Sequence, residues 1–404
     1  GYPRAEAVLL IELEGAPERA AAEAESVREL AARRGCAELR SAKTAAERDR
    51  LWEGRRSAYA ALARLAPNVM VEDGVVPRSR LAAGARRLLD IFREHRVQGG
   101  LLFHAGDGNL HPNIIFDERD KAQTDRARAA GHEILAACVE MGGSISGEHG
   151  IGMDKRAAMG WLFSEETLAL FRRIKAAFDP KGLANPDKLF PLAGEKPPGV
   201  ARRPAPPPLG AAAAELVESV RKLASAGKPV EVVGAGTRAP RAGALSARGL
   251  TRLVDVDRGN LIATAEAGIS PAELEAALSR EGLHAGFGSG AGTLGGLLAT
   301  RPWIGIRDGI LAMRILLADG TVLEVGSKVV KSVAGYDVPR VLLGSWGTLA
   351  VILEATFKVQ PLPVPVPAAP PRPRPAPNPW WLKLKGAFDP GHRLNAWVLE
   401  GRHG

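Results

Sequence analysis

Two short runs hold the residue types that do chemistry. Residues 103–117 read FHAGDGNLHPNIIFD, and residues 144–152 read SISGEHGIG. Asp107-Gly108 favours a tight two-residue turn, and strand-compatible residues flank it. With those two residues in the turn, His104 pairs with His111 on one face of a hairpin, their Cβ atoms ~5 Å apart. Asn113, two residues further on, shares that face. Two imidazoles so placed can chelate one divalent cation, and the second run adds a carboxylate and an imidazole at Glu148 and His149. Paired histidines near a turn also occur as plain hydrogen-bonded structure. Here three of the eight histidines sit in two Gly-rich loops beside a carboxylate, and glycine lets backbone approach a ligand without steric cost, so the pattern favours a metal site.

The elements that must position these residues read as α+β. Strands are expected at 7–13 and 37–42, with helices at 17–35 and 45–65. Residues 69–76 are extended, a helix at 80–95 leads into the hairpin, and one at 125–141 leads into SGEHG. A helix at 165–178 is stopped by Pro180. The alternation of strand and helix points to a sheet with helices on one face. Residues 191–210, centred on PPGVARRPAPPPLG, are the clearest boundary and read as an extended, poorly packed linker. Beyond it come a helix at 211–226, a strand at 229–233 and further β-like runs to residue 360, among them an Asp319-Gly320 hairpin. A second Pro-rich run, 361–379, precedes a tail at 380–404. One internal echo stands out: RIKAAFDPKGLAN at 173–185 and KLKGAFDPGHRLN at 383–395 share Lys, Ala, Phe-Asp-Pro and Asn at a constant offset of 210. The shared Asn points to two related units joined in one chain.

Composition bounds the classes. A chain of 404 residues can bury two cores, and 46% hydrophobic with 25% charged residues is globular. No apolar run is long enough for a membrane span, and no secretory signal is visible. The chain opens on Gly and enters a strand-like run at once, so it reads as a fragment. The net charge of +9 is scattered, and aromatics at 5% are too few for base-stacking platforms, so nucleic acid is not the expected partner. A positive field would instead attract a small carboxylate. The two cysteines, Cys36 and Cys138, lack CxxC partners; this implies a reducing compartment and excludes an iron–sulfur cluster built by this chain alone.

Three glycine loops follow in the second half. VEVVGAGTR fails as a dinucleotide fingerprint, because Ala239 takes the third glycine position and Pro240 disrupts the required helix. Residues 290–295 fit GxGxxG without a preceding strand, and 344–348 read GSWGT. Together the loops offer rows of backbone N–H groups able to wrap a pyrophosphate.

At these residues the sequence resembles the FAD-linked glycolate oxidase and D-lactate dehydrogenase group of the vanillyl-alcohol-oxidase-type flavoproteins. Residues 1–190 resemble the cap and C-terminal part of the catalytic subunit, through LWEGRRSA, VEDGVVPRSRL, FHAGDGNLHPN, GGSISGEHGIG and FDPKGLANPDKLFP. Residues 211–360 resemble the FAD-binding domain of the companion flavin subunit, through VGAGTR, GTLGG, RDGIL and SKVVKSVAGYDVPRVLLGSWGTLAVILEATFKV. The resemblance implies a ferredoxin-like antiparallel cap followed by a two-subdomain α+β FAD-binding domain of the PCMH type. It places metal ligands, Zn or Mn, at His104, His111 and Glu148, the active-site base at His149, and substrate-carboxylate contacts at Asn113 and Arg55. Non-covalent FAD falls on Gly234, Ala235, Gly236, Thr237 and Arg238, with further contacts at Gly292, Thr293, Gly295, Gly296, Gly344, Gly347, Thr348 and Ile352. The implied reaction oxidises a 2-hydroxy acid such as glycolate or D-lactate to the 2-oxo acid, with hydride passing to flavin N5. Electrons would leave to other subunits, including an iron–sulfur one as the resemblance implies, or to oxygen or a quinone, in the cytoplasm or peripherally at the inner membrane through those partners.

The order departs from the family: here the cap comes first, and the second unit's cap is reduced to the Pro-rich run. The segment around 299–304 also reads as shortened. That reduction favours an alternative, a non-catalytic flavin-binding subunit. The permuted order also predicts two halves side by side with a small mutual interface, and His149 far from the chain's own flavin loops.

Overall fold

The structure is a computed structural model that describes residues 2, 5–201, 203–237, 241–288, 290–300, 304–361, 374–375 and 378–399. Arg238 lies outside the described residues, as do most of the run 361–379 and residues 301–303 of the segment read as shortened. Two compact units divide the chain: residues 1–70 with 115–124, and residues 71–114 with 125–404.

In the first unit the helices follow local signals. Pro17 opens the helix Pro17–Arg33, and Gly35 turns left-handed just past its end. Thr44 and Glu47 form a reciprocal capping box at the start of the helix Ala45–Leu62. The strands expected at 7–13 and 37–42 do not form. Val8, Leu9 and Ile11 are exposed, and no described strand pairs with them. An extended segment with no ladder neighbour leaves its N–H and C=O groups unpaired, so apolar composition alone does not make it a strand.

In the second unit the strand Asn109–Phe116 is flanked by Gln98–His104 on one edge and Gly74–Val75 on the other, with Gly74 opposite Leu110 and Val75 opposite Asn109. The helix Leu81–Glu94 buries Leu88, Ile91 and Phe92, and the helix Lys121–Glu140 buries Ile134, Leu135, Cys138 and Val139. Residues beyond 210 build a five-stranded antiparallel sheet, in the order Val322–Gly326, Ile310–Leu316, Val351–Lys358, Ile262–Glu266 and Leu253–Asp257. A small parallel pair, Val232–Val233 with Leu245–Ser246, stands beside it. The class is therefore mixed α+β.

The large sheet is buried on both faces. One face carries Ala263, Ala265, Met313, Ile315, Ala355 and Phe357 into the main core. The other carries Thr264, Arg314, Glu354 and Thr356, and the Pro-rich segment before residue 210 lies over it. Arg314 Nη1 donates to the Pro207 carbonyl at 2.8 Å, and Arg203 Nη1 donates to the Leu162 carbonyl at 2.9 Å. Residues 204–208 of the run stay exposed, yet it is tied down at points: the Pro207 carbonyl, free of any ladder, accepts from a sheet arginine.

The expectation of a small interface between the halves is also overturned. One continuous core joins Leu135, Ile145, Leu168, Phe171 and Ile174 with Ala263, Ile315, Val338, Leu349 and Phe388. The helix Glu165–Phe178 explains why. Its apolar stripe (Leu168, Phe171, Ile174) must be covered, and the second half covers it. Phe171 meets Tyr336 edge to face at 5.7 Å, and Thr167 Oγ1 donates to the Glu324 carbonyl at 3.3 Å.

Candidate functional site

The hairpin closes differently from the sequence reading. Four residues, 105–108, separate the strands, and the His104 carbonyl accepts from the N–H groups of Asp107 and Gly108 at 3.3 and 3.1 Å. Gly108 is required there: its φ is +80°, and a Cβ would collide with the Val76 carbonyl. The longer loop does not move the two imidazoles to opposite faces. His104 and His111 therefore still converge, edge to face, with ring centroids 5.3 Å apart.

The SGEHG loop is placed by a residue the motif reading passed over. Asp73, fully buried, accepts hydrogen bonds at Oδ2 from Ser146 Oγ (2.8 Å), Glu148 N–H (3.0 Å) and His149 N–H (2.7 Å), and at Oδ1 from Asn109 Nδ2 (2.8 Å). Burial alone would raise its pKa; the donors, led by the His149 N–H, hold the carboxyl below the usual range.

That anchoring sets Glu148 between two partners. Its Oε1 lies 3.1 Å from His111 Nε2 and 3.6 Å from His104 Nε2, while Oε2 accepts from Lys331 Nζ at 2.9 Å. Lys331 also pairs with Asp107 at 3.0 Å. The Lys331 hydrogen bond keeps the Glu148 carboxyl below its ordinary value, and burial holds His111 below its own, toward the neutral form a ligand needs. His149 stacks on His111 at 5.1 Å and is exposed. Asn113 is buried and shares the strand, but its Nδ2 donates to the His111 carbonyl at 2.6 Å, so its amide is engaged with backbone. Arg55 lies half-buried on the helix Ala45–Leu62 of the first unit.

The donor set fits a divalent cation. Ligand atoms of Asp73, His111, Glu148 and His149 lie within 4.8 Å of one another. His111 Nδ1 is buried without a hydrogen-bond partner, 3.7 Å from Asp73 Oδ1. Because Asp73 already accepts four hydrogen bonds, it is the scaffold rather than a ligand. That leaves His111 Nε2, Glu148 Oε1 and a ring nitrogen of His149 in the cluster; the expected ligand His104 stands outside it, with Nε2 3.6 Å from Glu148 Oε1, and the far side of the His111 ring faces a carboxylate.

The glycine loops surround a cavity of about 130 Å³. Gly234, Ala235, Gly236, Thr237, Gly292, Thr293, Gly295, Gly296, Gly347 and Ile352 line it. A Cβ on Gly234 would collide with Thr293 Oγ1, Gly236 has φ +70°, and Gly292 has φ +115°: backbone fills space that side chains would block. Such a cradle fits a pyrophosphate. Two expected contacts, Gly344 and Thr348, are not among the residues that line it. Gly344 donates its N–H to Leu298, and Thr348 is buried with its hydroxyl on the Ser345 carbonyl at 2.7 Å. The cavity also has walls absent from the sequence-derived set: Trp346, Asn395 and Trp397. Signals existed for some of these residues. Asp73 and Lys331 stand inside VEDGVVPRSRL and SKVVKSVAGYD, and Asn395 is the Asn shared by the internal echo.

Residues 1–189 match the family described as FAD linked oxidases, C-terminal domain, and residues 210–326 match the family described as FAD binding domain. Glycolate oxidase subunit GlcD of Escherichia coli (strain K12) is 41% identical over 192 residues, which cover 47% of this chain and 38% of that protein. The D-lactate dehydrogenase of Archaeoglobus fulgidus is 33% identical over 168 residues, 41% of this chain and 36% of that protein. Glycolate oxidase subunit GlcE of Escherichia coli (strain K12) is 35% identical over 165 residues, 36% of this chain and 46% of that protein. The chain thus spans less than half the length of each. The matches bear out the resemblance to the glycolate oxidase and D-lactate dehydrogenase group. Among the described residues no helix is long and apolar enough to cross a membrane.

Proposed function

We propose that this chain, carrying one region of each matched FAD-linked family, oxidises a small 2-hydroxy acid such as glycolate or D-lactate to the 2-oxo acid. The observation that carries the reading is the two-sided use of Glu148. One oxygen faces two imidazoles of the first half, and the other is held by Lys331 of the second half. When bound, FAD supplies the two-electron acceptor and Zn or Mn at the histidine cluster supplies Lewis acidity. His104, His111 and Glu148 hold the cation, with Asp73 fixing the loop that presents Glu148. His149, anchored through its own N–H, takes the substrate hydroxyl proton at a ring nitrogen; imidazole chemistry suits that step. Arg55 and Asn113 are the proposed carboxylate contacts. Electrons then pass to other subunits of a glycolate-oxidase-type assembly, one of them iron–sulfur.

The test is dye reduction by the chain loaded with FAD and Zn²⁺ or Mn²⁺, with glycolate or D-lactate as substrate. His149→Gln should remove turnover by more than about a hundredfold while leaving metal content unchanged. Turnover that survives this substitution would overturn the assignment of the base, and no dye reduction by the fully loaded chain would overturn the catalytic reading.

A further inference from the structure

Glu72 and Asp73 are neighbours just before the strand Gly74–Val75, and they serve opposite ends of the loop that carries Glu148 and His149. Asp73 takes the near end, through Ser146 Oγ and the N–H groups of Glu148 and His149. Glu72 takes the far end: its Oε2 lies 3.6 Å from Lys155 Nζ. The Glu72 N–H donates to the Pro112 carbonyl at 3.1 Å, so the strand that carries His111 also fixes where both carboxylates start from.

Between the two anchors the chain turns on glycine. Gly150 and Gly152 are left-handed, with φ of 85° and 56°, and a Cβ on either would meet nothing within 4 Å. The stretch is therefore held from outside. Ile151, 5% exposed, enters the core, the Gly152 carbonyl accepts from the Leu189 N–H at 2.9 Å, and Lys155 meets Glu72. Of these holds, the ionic one leads back to the segment that carries Asp73.

The pair is costly to build. Its side chains are 10% and 12% exposed, and among the described residues neither Lys155 Nζ nor Glu72 Oε2 has a hydrogen-bond partner. Burial pushes the Glu72 carboxyl up to about 7, against the pull of Lys155. Apolar side chains of similar volume often stabilise a fold as well as a buried ion pair does. What the ion pair adds is selectivity: each charge accepts only its opposite, so one placement of the loop is favoured over its near neighbours. We infer that Glu72 and Lys155 are a positioning pair for this loop, holding its far end so that Glu148 and His149 stay in the cluster with His111. Neither is a ligand, and neither meets the substrate. The inference rests on the proposed metal centre only for its second readout.

The experiment replaces both partners in the full chain, Glu72→Leu with Lys155→Met, because either change alone strands a buried charge. The melting midpoint should stay at or above the wild-type value. Hydrogen exchange in the metal-free protein should quicken at the amides of residues 147–150, which bond to Asp73 and Ser146. Zn²⁺ affinity in calorimetry should fall about 10–100-fold, the usual effect of losing a group that orients a ligand. Wild-type exchange in the folded double variant, or unchanged affinity in a chain that binds the ion, would overturn the proposal. So would a lower melting midpoint with faster exchange throughout the chain, which would assign the pair to stability alone. Should the double variant fail to fold, Glu72→Asp takes its place, keeping the charge on a shorter arm. Faster exchange that Lys155→Arg restores, its guanidinium reaching further, supports the pair; exchange unchanged by Glu72→Asp, or not restored, refutes it. Because exchange is read without metal, a wild-type chain that binds no Zn²⁺ would overturn the metal reading and leave this one standing.

Discussion

Replacing Asp73 tests the logic of the site most directly. Its carboxylate accepts from four donors, of which Ser146 and Asn109 are fully buried, while Glu148 and His149 donate through backbone N–H groups that lie closer to solvent. Hydrogen bonds to a charged group are worth about 1.5–3 kcal/mol, and a stranded buried donor costs about 1–3 kcal/mol. Asp73→Ala strands two buried side-chain donors and releases two backbone donors to water, so a loss of about 3–5 kcal/mol is expected. Asp73→Asn should cost less, about 1–2 kcal/mol, because the introduced amide oxygen still accepts from the loop. Asn109 Oδ1 now lacks a partner, so a flipped Asn109 amide can accept from the introduced NH₂ group. Urea denaturation at constant m reads both values, and metal content by mass spectrometry should fall in the order wild type, Asn, Ala. Equal losses for the two variants, or both below about 0.5 kcal/mol, would refute the scaffold role. The pH dependence has a definite sign. The Asp73 carboxyl is held below its unfolded value, so its stabilisation is fully present above the usual carboxylate range and is lost as pH falls through the folded value. Asp73→Asn should therefore flatten the acid limb of the stability profile.

Lys331→Met should weaken divalent-cation affinity by about 10–100-fold in calorimetry, because Lys331 aims Glu148 Oε1 at the imidazoles; unchanged or tighter binding would count against that orientation. Gly234→Val should abolish the flavin absorbance of the reconstituted protein and leave its metal content intact, since the new side chain would occupy the space of Thr293 Oγ1. Lys385→Met should destabilise the fold by about 3–5 kcal/mol, as it leaves Asp389 buried and unpaired. Lys175→Met, its counterpart in the other copy of the internal echo, should cost far less in the same thermal melt, and equal costs would contradict the contrast in burial between the copies.

Local signals in the sequence settled much of this protein. The capping box at Thr44, the Pro17 start and the glycines after helix ends are decided within a few residues, and those helices stand where they read. The face shared by His104 and His111 was legible from strand alternation, and even a turn of the wrong length left both rings together. The flavin cradle was legible in part, because glycine at 234, 236 and 292 answers to backbone geometry. Tertiary structure decided the rest. Whether residues 7–13 form a strand depends on a ladder partner that local composition does not encode. Asp73 and Lys331 look like ordinary charged residues until folding brings Asp73 to a loop 73–76 positions away and Lys331 to a carboxylate 183 positions away. The echo announced two alike units, but only the packing, with Phe388, Leu394 and Asn395 buried and Phe178, Leu183 and Asn185 exposed, distinguished one copy from the other. Short-range geometry is written in neighbouring residues; burial and partner choice belong to the whole chain.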